Sequence, residues 1–211
     1  MSRLVAFGCS FTYGHGLEDC VASDGIGAGP IPSRFSWPSI LADKMNLDCD
    51  NQAVCGLSNL GIVDKILNYS FNKDDMIIIM WTFFERDLLW LSKNQKLDLT
   101  VGIDTEILNA WAITHGIVDR RMRTWYNIHH VYSYLKSINA NFYFLHVNQE
   151  PEFINLKPVW ANNINFLPTK FRDFRHFPLA ADGKHPGTKS HNFMASHIYQ
   201  HINSTEFSNQ S

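Results

Sequence analysis

The sequence predicts an α/β fold in which a small parallel sheet is covered by helices on both faces. Three observations carry this expectation. Short apolar runs at residues 4–7, 75–81 and 141–147 alternate with longer segments whose apolar residues recur at helical spacing. The run at 75–81 lacks polar alternation, which suits a strand buried on both faces. A chain of 211 residues, 45% hydrophobic and rich in Phe and Trp, suffices for one core and is short for two domains.

Taken in order, residues 4–7 form a buried strand that ends at the turn signal Gly8. Residues 13–35, rich in Gly, Asp and Pro, read as a long surface loop. Ser36-Trp37-Pro38-Ser39 gives an N-cap with proline near the first helical position, and the helix continues through Ile40, Leu41 and Met45. A second strand falls within 47–53. Gly56-Leu57-Ser58-Asn59 opens the next helix, with Leu60, Val63, Ile66 and Leu67 at helical intervals. Residues 105–139 are expected to be mostly helical, broken at Gly116, with Trp111, His115 and Val118 on one face. Residues 148–186 read as loop apart from an edge strand at 164–167. The closing helix spans 187–202, and a polar tail over 204–211 is expected to fray. The expected organisation is one domain over 1–203 with loop insertions near 13–35 and 148–181. A parallel sheet binds ligands at the C-terminal ends of its strands, which puts residues 8–12, 81–85 and 147–150 on one edge.

The formal charge of −2 gives no field directed at nucleic acid or an anionic membrane, and neither is expected as a partner. Residues 157–189 are locally basic, with Lys157, Lys170, Arg172, Arg175, Lys184 and Lys189 against Asp173 and Asp182. That bias fits a solvated loop or attraction of an acidic substrate. Four cysteines (Cys9, Cys20, Cys49 and Cys55) are too few for a disulfide scaffold. The first residues carry no signal-like apolar run, and the longest such run, 76–81, is far below the ~20 residues of a membrane span. A cytoplasmic site of synthesis is expected, with release by lysis or association with a particle compatible.

Two segments carry chemistry. In Gly8-Cys9-Ser10-Phe11-Thr12 a serine follows a strand and a glycine, which suits a tight turn presenting its hydroxyl to a cleft. A turn or helix-cap serine fits the same residues. In Asp182-Gly183-Lys184-His185-Pro186 three residues of separation allow a carboxylate to orient an imidazole as general base. A helix-start turn with incidental polar residues is the alternative. His197 and His201 share a helix face, but their neighbours read as core contacts and no metal or cofactor is expected. Arg120-Arg121-x-Arg123 reads as a solvated helix face, and Trp160 as a spare aromatic in the basic loop.

Together these segments resemble the SGNH, or GDSL-type, hydrolases. Gly8-Cys9-Ser10-Phe11-Thr12 is similar to the family's first block, Asn51-x-Ala-x-x-Gly56-x-Ser-Asn59 to its second, and Asp182-x-x-His185-Pro186 to its last. The resemblance implies a flavodoxin-like three-layer α/β/α sandwich and ester hydrolysis by Ser10, His185 and Asp182. It also implies an oxyanion hole built from the N–H groups of Ser10 and Gly56. Two departures stand out. Cys9 replaces the usual Asp before the nucleophile. The third-block Asn is absent from Trp81-Thr82-Phe83-Phe84-Glu85-Arg86, leaving Thr82 or Arg86 as the replacement oxyanion donor, unless Arg86 pairs with Glu85. Tyr13, Asn59, Glu85 and Trp160 are expected to contact substrate, an O-acylated and foremost O-acetylated carbohydrate. The competing expectation is a non-catalytic carbohydrate-binding or particle-associated protein on the same fold.

Overall fold

The computed structural model describes residues 2–23, 27–92, 95–99, 106, 110, 113–147, 157–167 and 177–208. In chain order the elements are β1 (Arg3–Phe7), α1 (Ser10–Tyr13), α2 (Trp37–Met45), β2 (Asp48–Asn51), α3 (Asn59–Leu67), β3 (Met76–Trp81), β4 (Asp87–Ser92), β5 (Gln95–Leu99), α4 (Ile117–Ser137), β6 (Asn141–His146) and α5 (Thr188–Ser208). Strands β2, β1, β3 and β6 lie side by side in that order, all parallel.

Every residue of β3 is buried, and its side chains alternate between two cores. Met76, Ile78 and Met80 pack with Trp37 and Leu41 of α2 and with Met194, Ala195 and Ile198 of α5. Ile77, Ile79 and Trp81 face the other way, onto Ile62 and Ile66 of α3 and Trp125, Ile128 and Val131 of α4. A parallel strand buried on both faces tolerates no polar alternation, which is why this sequence run reads as continuous apolar residues. The result is the expected three-layer α/β/α sandwich. At the lower end of the sheet the Asp75 carboxylate receives Nε and Nη2 of Arg3 at 3.0 and 2.7 Å, clamping the starts of β1 and β3 together.

From β1 the chain moves to β2 on one side and then to β3 on the other. The order therefore reverses between β1 and β3, and loops at the C-terminal ends of these strands open a crevice there. Ser10 lies at that switch point.

Several elements differ from the sequence reading. Strands β4 (Asp87–Ser92) and β5 (Gln95–Leu99) pair antiparallel in a stretch to which the sequence assigned no element. Gly116 is the N-cap of α4, so the break falls where expected, but Val118 is exposed and the buried face is instead Arg121, Thr124, Trp125, Ile128, Val131 and Leu135. Trp111 lies outside the described residues. The edge strand at 164–167 is reduced to one parallel bridge between Phe166 and Phe144. The closing helix continues to Ser208 rather than stopping near 202. No described helix is long and apolar enough to cross a membrane.

Candidate active site

β1 delivers the chain to Gly8 and then to α1, whose first residue is Ser10. Cys9 is extended, and its carbonyl accepts the N–H groups of Thr12 and Tyr13 at 2.9 Å each. Ser10 thereby becomes the first helical residue, whose N–H has no carbonyl one turn earlier to reach. Asn51, at the end of β2, braces this turn. Its amide donates to Thr12 O at 2.8 Å and to Ser36 Oγ at 3.3 Å.

The partner residues come from the other end of the chain. Residues 179–186 form a tight loop closed by an antiparallel bridge between Leu179 and Pro186. Within it, Asp182 Oδ1 accepts the backbone N–H groups of Lys184 and His185 at 3.0 Å each, and Oδ2 lies 2.5 Å from Nδ1 of His185. Burial favours the neutral acid, but the two N–H donors and the His185 ring overcome it and hold the Asp182 carboxyl at about 2. Burial also lowers His185 below its ordinary value, against the raising effect of Asp182 and together with the charges of His15 and Arg86. An ionised carboxylate can only accept, so the neutral imidazole keeps its proton on Nδ1 and offers Nε2 as a base.

Loop and turn meet through three residues. The Phe11 ring stands edge-on to the His185 ring at 5.6 Å, and the His15 ring lies 4.4 Å from it. His15 donates its N–H to Ser10 O at 3.1 Å, and Gly16 O accepts the N–H of Ala181 at 3.0 Å. Gly16 has a φ of 83°, and a Cβ there would fall 2.8 Å from Cγ of Asp182. Only glycine permits so close an approach of this backbone to the acid.

The oxyanion side is built from two loops. After β2 the chain runs beside the end of β1, with Gln52 N–H on Ala6 O at 2.8 Å and Val54 N–H on Gly8 O at 3.2 Å, and it turns at Gly56 with a φ of 80°. After β3, the backbone of buried Thr82 is held in both directions by Asn59, which accepts its N–H at 2.8 Å and donates to its carbonyl at 3.1 Å. Arg86 Nη1 donates to Thr82 Oγ1 at 3.1 Å, and the guanidinium lies 5.0 Å over the Phe83 ring. Phe83 in turn touches Phe11, 6.1 Å away between ring centres. Arg86 thus turns inward to Thr82 rather than to Glu85. Its charge opposes the effect of burial at Cys55, beside Gly56, whose thiol is pushed up to about 12.

The structure brings Ser10, Asp182, His185, Gly56, Thr82 and Arg86 to one sheet edge. It corrects other expectations. Asn59 is buried and its amide is committed to Thr82, so it positions that loop instead of facing a substrate. The Tyr13 hydroxyl donates to Gly29 O at 2.7 Å and fastens the 13–35 loop. Trp160 stacks on Tyr126 at 5.4 Å and meets His129 edge-on, which places it on α4 rather than beside Ser10. Glu85 is half-buried between β3 and β4. The basic run on α4 is not simply a solvated face, since Arg121 is buried with its guanidinium 4.7 Å over Phe84. Much of the expected 148–181 insertion, including Asn148, Gln149 and the cations at 170, 172 and 175, lies outside the described residues. His15 and Gly16 had no sequence signal as partners of the His–Asp loop, because that contact spans nearly the whole chain. Atoms of His15, Asp182 and His185 able to ligate a metal lie within 4.8 Å of one another.

No protein-family model matches this chain, and no curated protein matches its sequence. Solved structures do. A G-D-S-L family protein from Desulfitobacterium hafniense aligns over 94% of this chain and 98% of its own, with a TM-score of 0.56 and 15% identity. An esterase from Pseudoalteromonas aligns over 96% and 97%, with a TM-score of 0.54 and 13% identity. An acetyl xylan esterase from the rumen bacterium Butyrivibrio proteoclasticus aligns over 97% of this chain with a TM-score of 0.57 and 14% identity, and the match spans 64% of that longer protein. At such identities the likeness is one of fold, and the fold is that of the SGNH hydrolases.

Proposed function

We propose that this chain, built on the SGNH-hydrolase fold, is a serine ester hydrolase. Ser10 attacks the ester carbonyl, His185 takes the hydroxyl proton on Nε2, and Asp182 holds His185 in the required tautomer. The observation that carries the reading is the Asp182–His185 pair, 2.5 Å apart in a tight loop that packs against the Ser10 turn through Phe11 and His15. Attack places negative charge on the carbonyl oxygen. The N–H groups of Ser10 and Gly56 and the guanidinium of Arg86 are the donors for it, with Thr82 orienting Arg86. A charged donor in place of the family's amide is a stronger partner for an oxyanion. His185 then protonates the departing alcohol, leaving an acyl group on Ser10. Water, deprotonated by His185, releases the acid and restores the serine.

The substrate class we assign is an O-acylated, foremost O-acetylated, saccharide. Around Ser10 the described residues include His15 and Arg86 beside the rings of Phe11 and Phe83, a mixture suited to a polar ligand with ring faces. The fold neighbour that acts on acetyl xylan supports the same class. The test compares hydrolysis of a short activated acetate ester by the wild type and by Ser10→Ala. Loss of turnover in the variant is expected, and equal rates would refute the mechanism. One observation favours a second reading: where the family carries an oxyanion Asn, Thr82 has its hydroxyl engaged by Arg86. A non-catalytic saccharide-binding protein would bind glycans without releasing acid, and binding would survive Ser10→Ala.

A further inference from the structure

We infer that His191, which no step of the proposed mechanism uses, is a positioning residue for His185. By capping helix α2 from the first turn of α5, it ties the loop of Asp182 and His185 to the framework that braces the Ser10 turn. This rests on the esterase reading above and adds a residue to that same site.

His191 is buried in the first turn of α5. Its backbone N–H and that of Ser190 bond to Gly187 O at 3.2 and 2.9 Å, so the helix grows directly out of the residues that follow His185. Those residues lie against the first arm of the loop. Gly187 N–H bonds to Pro178 O at 3.2 Å, and Ala180 N–H bonds to His185 O at 2.9 Å. A Cβ on Gly187 would fall 2.5 Å from Pro178 O, so the two arms meet backbone to backbone. Across the core, Nδ1 of His191 accepts the N–H of Trp37, the first residue of α2, at 3.0 Å. A donor at a helix start has no carbonyl one turn earlier, and Trp37 is fully buried, so this N–H needs a partner. Ser36, at the N-cap position, does not supply it. Its Oγ donates to Ser33 O at 2.6 Å and accepts the Asn51 amide at 3.3 Å. The same amide donates to Thr12 O at 2.8 Å, inside the Ser10 turn. A run of contacts therefore leads from the Ser10 turn through Asn51 and the start of α2 to His191, and from there to the exit of the His185 loop. Gly16 O, bonded to Ala181 N–H at 3.0 Å, holds the other side of that loop. With Nδ1 accepting, the neutral ring of His191 carries its proton on Nε2. An apolar side chain of similar volume would fill the space without offering an acceptor.

The experiment measures kcat and KM of the full chain on a short activated acetate ester, with urea unfolding of each variant alongside. His191→Leu and His191→Ala both remove the acceptor, with and without filling its space. Either is expected to lower kcat about 10- to 100-fold while KM changes little, because the base is displaced and the binding surface is not. His191→Asn, whose amide oxygen can stand at the place of Nδ1, is expected to return kcat to within about threefold of wild type. Ile198→Ala opens a cavity in the core two turns further along the same helix and serves as the control for stability. It is expected to unfold at lower urea and to keep its kcat. Wild-type kcat in a folded leucine or alanine variant, or an equal loss in Ile198→Ala, overturns the proposal while the esterase reading stands. A second measurement does not depend on turnover: the downfield proton resonance of the His185 Nδ1–H bonded to Asp182, identified by its absence from Asp182→Asn. It is expected in the wild type, His191→Asn and Ile198→Ala, and broadened or lost in His191→Leu and His191→Ala. A wild type that cleaves no ester sinks the esterase reading and leaves this signal to decide. A resonance unchanged in the leucine and alanine variants overturns the positioning role.

Discussion

Replacing Asp182 with asparagine separates the two duties of this carboxylate. Oδ1 accepts two backbone N–H groups at 3.0 Å and so holds the loop, whereas Oδ2 faces Nδ1 of His185 at 2.5 Å and so sets the tautomer. In Asp182→Asn the amide oxygen can take the place of Oδ1, keeping both loop bonds. The amide NH2 then faces the imidazole, which must accept on Nδ1 and carry its proton on Nε2, the position needed for the base. Loss of the tautomer is expected to lower kcat by about 10⁴-fold, equivalent to ~5 kcal/mol of transition-state stabilisation. Stability should change little by comparison. Asp182→Ala loses the same chemistry but also strands two backbone donors, each worth about 0.5–1.5 kcal/mol, so it should unfold ~1–3 kcal/mol more easily than the wild type. The assay pairs kcat on an activated acetate ester with urea unfolding of both variants. An asparagine variant within tenfold of wild-type kcat, or one as unstable as the alanine variant, would refute the reasoning.

Further perturbations probe the rest of the site. Gly16→Ala and Gly183→Ala both place a side chain at positive φ, but only at residue 16 does the new Cβ collide with Asp182. Each should destabilise by roughly 1–2 kcal/mol, and activity should collapse only in Gly16→Ala. Removing the proposed oxyanion donor in Arg86→Gln should reduce kcat about 10²–10³-fold with the substrate KM largely kept, and an unchanged kcat would show that another group fills that place. Buried His191 accepts the Trp37 N–H on Nδ1 at 3.0 Å, and burial, opposed by the Pro186 carbonyl, pushes it down to about 4. A depressed folded-state value means the unfolded chain binds the proton first. Stability should therefore be intact above about pH 6.5 and decline towards pH 4, by up to about 3 kcal/mol. His191→Gln, which keeps an acceptor and loses the titration, should flatten that part of the profile in urea unfolding across pH.

Much of the fold was legible in the sequence because burial on both faces leaves a direct trace, as in Met76–Trp81. The proposed nucleophile and the Asp182–His185 pair left a trace of a different kind. Each occupies a short local motif whose geometry depends on neighbours one to three residues away. The pair β4–β5 left a weaker trace, since Asp87–Ser92 and Gln95–Leu99 mix Leu with polar residues over stretches too short to set a period. Val118 was misplaced because the helical phase restarts at the Gly116 cap, so a face projected across that glycine from Trp111 has no meaning. Asn59 and Tyr13 carry no sequence mark of their partners, because an isolated polar residue near a motif looks the same whether its partner is a ligand or a distant backbone. Their partners, Thr82 and Gly29, are set by tertiary packing. The same holds for Arg86, whose inward turn depends on Thr82 and the Phe83 ring.

The central claim is that Ser10 becomes a covalent nucleophile through His185, and trapping it tests this most directly. The full chain would be incubated with an activated alkyl phosphonate ester, which phosphonylates an activated serine, then weighed intact and mapped by peptide mass spectrometry. The account predicts one adduct per chain, located on Ser10, absent from Ser10→Ala and formed far more slowly in His185→Ala. No adduct, or one carried on another residue and undiminished in Ser10→Ala, would contradict it.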